Sequence, residues 1–85
     1  MATITLRVTR GGSPAVGSVV ILGYARENDT AGTFVGTTNA QGEIVKTAPA
    51  AFEAVAFGMV RHTDGKRVGA SGIIFVADQV TAWNA

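Results

Sequence analysis

The chain has 85 residues, of which 15% are charged, and its formal net charge is +1. That length fits one domain with a single core, expected over residues 1–85. The small net charge argues against a basic surface for nucleic acid or for a membrane. No apolar run approaches the roughly 20 residues of a membrane-spanning helix. We therefore expect neither nucleic acid nor a membrane as a partner.

The sequence offers no disulfide and little prospect of a metal site that could stabilise a small domain. Cysteine is absent and there is one histidine, which excludes disulfides and argues against structural zinc, so we expect no cofactor. Domains of this size usually need a staple or a partner chain. The low charge and a mean hydropathy of +0.30 favour self-association or attachment to a larger protein. The alternative is that alanine and threonine replace charged residues on the surface of a sheet.

The first half of the chain predicts strands. Residues 3–9 alternate, with Ile4, Leu6 and Val8 on one face and polar residues on the other. A turn follows around Pro14. Residues 18–25 form the next strand, and their apolar run 19–22 predicts that both faces are covered.

The second half continues the pattern. A polar loop is expected over 26–32, then strands over 33–38 and 43–47 joined by a hairpin turn, and further strands over 52–61 and 67–77. Gly58 predicts a bulge or a close backbone approach, and Asp64-Gly65 predicts a type I′ turn. Residues 78–85 are expected to form a short irregular tail. Together these segments predict an all-β fold, a single antiparallel β-sandwich of six or seven strands.

Two motifs resemble those of the prealbumin-like sandwich family, which includes carboxypeptidase-regulatory-like domains and bacterial Ig-like modules. They are the Gly-x-Pro turn entry at residues 12–20 and the Thr-Thr-Asn-x-x-Gly turn at residues 37–44. The resemblance covers about the first half of the chain. It implies an Ig-like sandwich in which Val20, Leu22 and Tyr24 share one face. It brings no catalytic residue, because members of this family serve as spacers, stabilisers and binding surfaces.

Candidate catalytic and ligand-binding residues are sparse. His62 near Asp64 would need a serine nucleophile, and the candidates are Ser13, Ser18 and Ser71. No nucleophile elbow accompanies any of them, so we interpret His62 as an exposed turn residue and expect no catalytic residue and no enzyme activity.

Two other ligand motifs are weak. Residues 27–30 offer oxygen ligands that could hold calcium, but a solvated loop explains them as well. Gly65-Lys66 lacks the upstream glycine of a phosphate-binding loop.

Two regions are candidates for partner contact. Arg61, His62, Lys66 and Arg67 cluster on one hairpin, where they could meet an acidic partner or only protect a sheet edge. Val80 and Trp83 lie in the tail, where the tryptophan either folds onto its own sandwich or enters a neighbour. The predicted partner-contact residues are therefore Trp83, Val80, Arg61 and Arg67. The phenylalanines at 34, 52, 57 and 75 are interpreted as core.

These observations favour a non-enzymatic structural or interaction module. The first residues carry no basic or long apolar segment, so no signal peptide is expected. The resulting profile is similar to virion accessory proteins, such as phage capsid decoration or tail-associated Ig-like proteins, which places the expected location on the virion. The alternatives are an Ig-like module of a bacterial surface or adhesin protein, located outside the cell, and a carbohydrate- or ligand-binding module.

Overall fold

The computed structural model describes residues 2–26 and 31–85, with only the backbone of Arg26. The described residues form two packed β-sheets and no helix, so the all-β sandwich prediction is confirmed. Eight strands are seen, two of them in segments that were expected to be turn or tail. They are β1 (Ala2–Arg10), β2 (Ser13–Pro14), β3 (Val19–Arg26), β4 (Ala31–Thr37), β5 (Glu43–Ala48), β6 (Glu53–Arg61), β7 (Arg67–Val76) and β8 (Gln79–Asn84).

The first sheet is built around β1, which pairs with β2, β5 and β8. The pairs with β2 and β5 are antiparallel, whereas β8 runs parallel to β1. A purely antiparallel arrangement is therefore not seen in this sheet. The crossing from β7 into β8 is tied to β1 at Asp78, whose amide donates to the Thr3 carbonyl (2.6 Å) and whose carboxylate accepts from the Thr3 amide (3.1 Å).

The second sheet has the strand order β4-β3-β6-β7, and all its pairs are antiparallel. The β6–β7 ladder shifts register between Ala56 and Gly58, which confirms the bulge predicted there. A Cβ at Gly58 would collide with the backbone of Ile21 on β3. Gly58 therefore serves both predicted purposes, a bulge and a close backbone approach.

The core lies between the sheets and contains the faces that alternation predicted. Leu6, Val8 and Val20 are completely buried. The rings of Phe34 and Phe75 stack with centroids 4.7 Å apart, joining β4 to β7. The inward assignments of Val20, Leu22 and Tyr24 also hold, since all three belong to or pack against this core.

The turn at residues 38–42 connects the two sheets and does not form a hairpin. β4 pairs with β3 in the second sheet while β5 pairs with β1 in the first. The Asn39 side chain accepts from the amides of Gln41 and Glu43 at 2.9 and 3.0 Å. Gly42 has a φ of 74°, and a Cβ there would lie 2.6 Å from the Val8 carbonyl oxygen. The turn chemistry was predicted, but turn chemistry does not specify which strands pair afterwards.

The β6–β7 connection is a hairpin, as predicted, with a different turn. The Gly65 amide donates to the His62 carbonyl (2.9 Å), and Gly65 has a positive φ while Asp64 does not. A type I′ turn needs a positive φ at both positions, so the type I′ prediction is wrong. The Asp64 carboxylate instead accepts from the Lys66 amide (3.0 Å).

Candidate interaction surface

The outer face of the second sheet is apolar and exposed. Strands β3, β4, β6 and β7 each turn apolar side chains outward there, and the most exposed of these, here called the apolar face, are Ile21, Val35, Val55, Phe57 and Ile74. Phe57 is 61% exposed, the highest value among the large apolar side chains described. The apolar run in β3 predicted cover on both faces, but the described residues cover only its inner face.

The register makes these side chains contiguous. Ile21 lies between Val35 on β4 and Met59 on β6, and Val55 lies opposite Ile74 on β7. Neighbouring strands are about 4.8 Å apart, so paired side chains touch or nearly touch. The apolar face is therefore one continuous patch across four strands, which a monomeric protein seldom leaves open to water.

Charged side chains sit only at the two ends of this patch among the described residues. Glu53 begins β6 and Arg61 ends it, both on the outward side, and Arg67 lies opposite Arg61 on β7. None of the three makes an ion pair with a described residue. The structure thus places two predicted contact residues, Arg61 and Arg67, together at the rim of the apolar face.

The outer face of the first sheet is different in chemistry. On β1 it carries Thr3, Thr5, Arg7 and Thr9, and Arg7 forms an ion pair with Glu43 (2.6 Å). Two exposed valines, Val45 and Val80, flank Thr5 on β5 and β8. Threonine hydroxyls and a paired arginine are well suited to water. The two outer faces therefore differ, and the alanine-and-threonine alternative describes the first face and the β4 part of the second, where Thr33 and Thr37 are exposed.

The predicted tail is a strand, and its two candidate contact residues point in opposite directions. Trp83 lies beside Val8 on β1 and packs against the core cluster, whereas Val80 is exposed on the outer side. The irregular-tail prediction is wrong because residues 79–84 complete the first sheet. Of the two positions left open for Trp83, the structure shows the one on its own sandwich.

His62 is buried, which overturns its interpretation as an exposed turn residue. Its Nδ1 lies 3.0 Å from the Oγ of Ser18, and the two residues are 4% and 1% exposed. Asp64 is bound to Arg10 and to the Lys66 amide, so it does not orient the imidazole. Of the three candidate serines, sequence proximity did not single out Ser18. The pair has no solvent access for a substrate, and it forms no Ser-His-Asp arrangement.

A cleft opens between the sheets at the end away from His62. It has a volume of about 280 Å³, and its lining includes Tyr24, Phe34, Lys46 and Phe52. The rings of Tyr24 and Phe52 meet edge to face with centroids 5.4 Å apart. Lys46 is the charged group in this lining. The other polar side chains in the lining are those of Thr33, Thr47 and Tyr24, and among the described residues they form no set of convergent catalytic groups.

Within residues 2–26 and 31–85, no cluster of three acidic or histidine side chains could hold a metal ion, and no helix could span a bilayer. The calcium candidates at residues 27–30 lie outside the described residues.

Comparison with protein-family models, with curated proteins and with solved structures found no match.

One important surface residue, Phe57, was not predicted from the sequence. Phe57 was interpreted as core together with Phe34, Phe52 and Phe75; the other three are buried, but Phe57 is exposed. The signal that could have found it is the alternation in β6, where Phe57 shares a face with Val55 and not with the buried Ala54 and Ala56. Phe57 was assigned to the core because large aromatic side chains are on average highly buried.

Proposed function

We propose that the protein is a non-enzymatic structural module that works by binding other protein surfaces. The observation that carries this proposal is the contiguous apolar face of the second sheet, centred on Phe57 and bounded by Glu53 at one end and Arg61 and Arg67 at the other. Aromatic and arginine side chains are enriched at protein interfaces. A non-enzymatic role is also in keeping with the buried Ser18–His62 pair, which a substrate could not reach.

Within that class we propose a virion accessory protein, of the kind that decorates capsids or joins tails. The support is a small all-β module with one polar and one apolar outer face. A module of this shape can be built into a multi-copy assembly by packing its apolar sheet against a neighbouring protein surface and leaving its polar sheet exposed. The prealbumin-like resemblance in the first half of the chain also supports a non-enzymatic module, because members of that family act as spacers and binding surfaces.

The alternative is an Ig-like module of a bacterial surface protein, for which the same apolar face would bind a neighbouring domain. A carbohydrate-binding role has less support. Such sites stack sugars on exposed aromatic rings, but Tyr24 and Trp83 pack against the core and are only partly exposed. Phe57 is the exposed large aromatic among the described residues.

The test is to find where the protein resides. Antibodies against the chain should label virus particles purified from the organism that encodes it, and mass spectrometry should find the chain at many copies per particle. Labelling of the cell surface with particles unlabelled would favour the surface-module alternative. Binding on a glycan array with neither label would contradict the proposal.

A further inference from the structure

We propose that the apolar face binds the same face of a second copy of this chain, with the two β6 strands antiparallel across a two-fold axis. This rests on the proposed function as a protein-binding module and names its partner and orientation. The polar face of the first sheet then stays in water, and the apolar face becomes the centre of a four-layer dimer.

The charges at the ends of β6 fix the orientation. Glu53 and Arg61 lie on the same outward side, eight residues apart, with Val55, Phe57 and Met59 between them. If a second β6 crosses antiparallel, each Glu53 faces Arg61 and Arg67 of the other copy. Parallel stacking would instead place Glu53 over Glu53 and arginine over arginine. Like charges in close juxtaposition are unfavourable, and opposite charges fix register.

The shape of the face suits sheet-on-sheet packing. The Phe57 ring lies over Gly23 on β3, since a Cβ at Gly23 would be 3.9 Å from the Phe57 Cζ. Because Gly23 has no side chain, the ring can lie low and the surface stays comparatively flat. Faces of this kind pack about 10 Å apart with apolar side chains between them.

The available area matches a modest dimer. Four strands about 4.8 Å apart and about seven residues long at 3.3 Å each give a plan area of roughly 450 Å² per copy. Because the side chains make the surface uneven, its accessible area is larger than this plan area. The two faces together therefore reach about the 1,000 Å² at which specific interfaces begin. We therefore expect a dissociation constant in the micromolar range, about 1–100 µM.

The experiment is sedimentation velocity over about 1–200 µM on the wild type and two matched variants. Val55→Asp places a carboxylate in the apolar face, and Val45→Asp places the same group at an equally exposed valine on the first sheet. We expect Val55→Asp to weaken dimerisation at least about tenfold, because a charge would be buried without a partner. Val45→Asp should change it by less than about threefold. Thermal midpoints measured alongside verify that both variants are folded.

Charge variants test the orientation. Glu53→Arg makes both ends of the face positive, and Arg61→Glu with Arg67→Glu makes both ends negative. Each should dimerise more weakly than the wild type when alone, and an equimolar mixture should recover the affinity by forming a mixed dimer. If each variant alone dimerises as well as the wild type, the antiparallel arrangement is overturned.

The failure of this inference differs from that of the proposed function. A folded wild type that stays monomeric at the highest concentration, or a dimer weakened equally by Val45→Asp and Val55→Asp, overturns the self-binding face. Antibody labelling of particles would be unaffected by that result. Conversely, the dimer could behave as expected while the protein is absent from both particles and the cell surface. That result would retain the interface and reject the proposed function.

Discussion

The Oγ of Ser18 lies 3.0 Å from the Nδ1 of His62, and the two residues join distant parts of the chain inside the protein. The Ser18 amide also donates to the Thr38 hydroxyl (2.8 Å), which in turn donates to the Ala15 carbonyl. A buried polar group without a hydrogen-bond partner lowers the stability of the fold. In this cluster the buried donors and acceptors are partners of one another. The cluster ties the β2–β3 connection to the β4–β5 turn and to the end of β6. Its role in this structure is to hold the sandwich closed at this end.

Replacing Ser18 by alanine should therefore destabilise the fold. The change leaves the Nδ1 of His62 without its partner in the interior, where the Nε2 has none among the described residues. We expect a loss of about 1–3 kcal/mol in the free energy of unfolding, measured by urea denaturation. The matched control is Ser71→Ala on β7, where the serine is exposed, and it should cost less than about 0.5 kcal/mol. Equal losses at the two serines would contradict a structural role for the cluster.

A second prediction concerns the alternating strand β1. Leu6 is completely buried, so Leu6→Ala should lower the free energy of unfolding by about 2–5 kcal/mol, through lost burial and the cavity left behind. Thr5 lies on the other side of the same strand and is only partly covered. Thr5→Ala should cost about 0.5 kcal/mol or less. Urea denaturation of both variants provides the measurement, and similar losses at both positions would mean that the outer side of β1 is also an interface.

The difference between β1 and β6 shows what alternation can predict. In both strands the alternating pattern separates two faces. In β1 the outer residues are polar, so the inner face was evident. In β6 both faces are apolar, and small Ala54 and Ala56 face the core while Phe57 faces out. Alternation does not decide between two apolar faces, because that depends on which side the other sheet packs.

The buried Ser18–His62 pair was beyond sequence reasoning for a related reason. The two residues are 44 positions apart, and they meet because β3 pairs with β6, one position beyond the pair of Val19 with Arg61. The sequence predicted the turn at residues 38–42 from Asn39 and Gly42, but it predicted a hairpin there. Local turn chemistry specifies the backbone at a few residues, while strand pairing is decided by the packing of the whole sandwich.

A third prediction addresses the bulge in β6. Gly58→Ala places a Cβ against the Ile21 carbonyl and within 2.9 Å of the Leu22 Cα. The β3–β6 ladder must shift, and we expect a loss of about 1–3 kcal/mol in the free energy of unfolding. Gly69→Ala on β7 is the control, because nothing lies within 4 Å of a Cβ there. Thermal denaturation compares the two, and a Gly58→Ala variant as stable as Gly69→Ala would contradict the close approach.

A fourth prediction concerns pH. The hydrogen bond from the Arg10 side chain, followed by that from the Lys66 amide, lowers the pKa of the exposed Asp64 carboxyl below its ordinary value of 3.8. Because the pKa is lower in the folded state, the ionised carboxylate stabilises the fold above pH 3.8, and this contribution is lost as the pH falls through the folded-state pKa. Asp64→Asn should therefore lower the thermal midpoint near pH 7 and lose that difference toward about pH 2. Arg10→Gln should reproduce the loss near pH 7. A difference that stays constant over this range would show that the ion pair does not carry the effect.

The last prediction separates the two faces of β8. Trp83 packs against the core cluster beside Val8, while Val80 points away from it. Trp83→Ala should lower the free energy of unfolding by up to about 3 kcal/mol, less than for a fully buried tryptophan because part of the ring remains exposed. Val80→Ala should cost about 0.5 kcal/mol or less. Urea denaturation of both variants, with sedimentation at matched concentration, distinguishes folding from association. If Trp83→Ala leaves stability unchanged but abolishes dimerisation, the tryptophan binds a neighbour and the apolar face is not the sole interface. If Trp83→Ala destabilises the monomer and the dimer affinity is retained, β8 belongs to the fold alone.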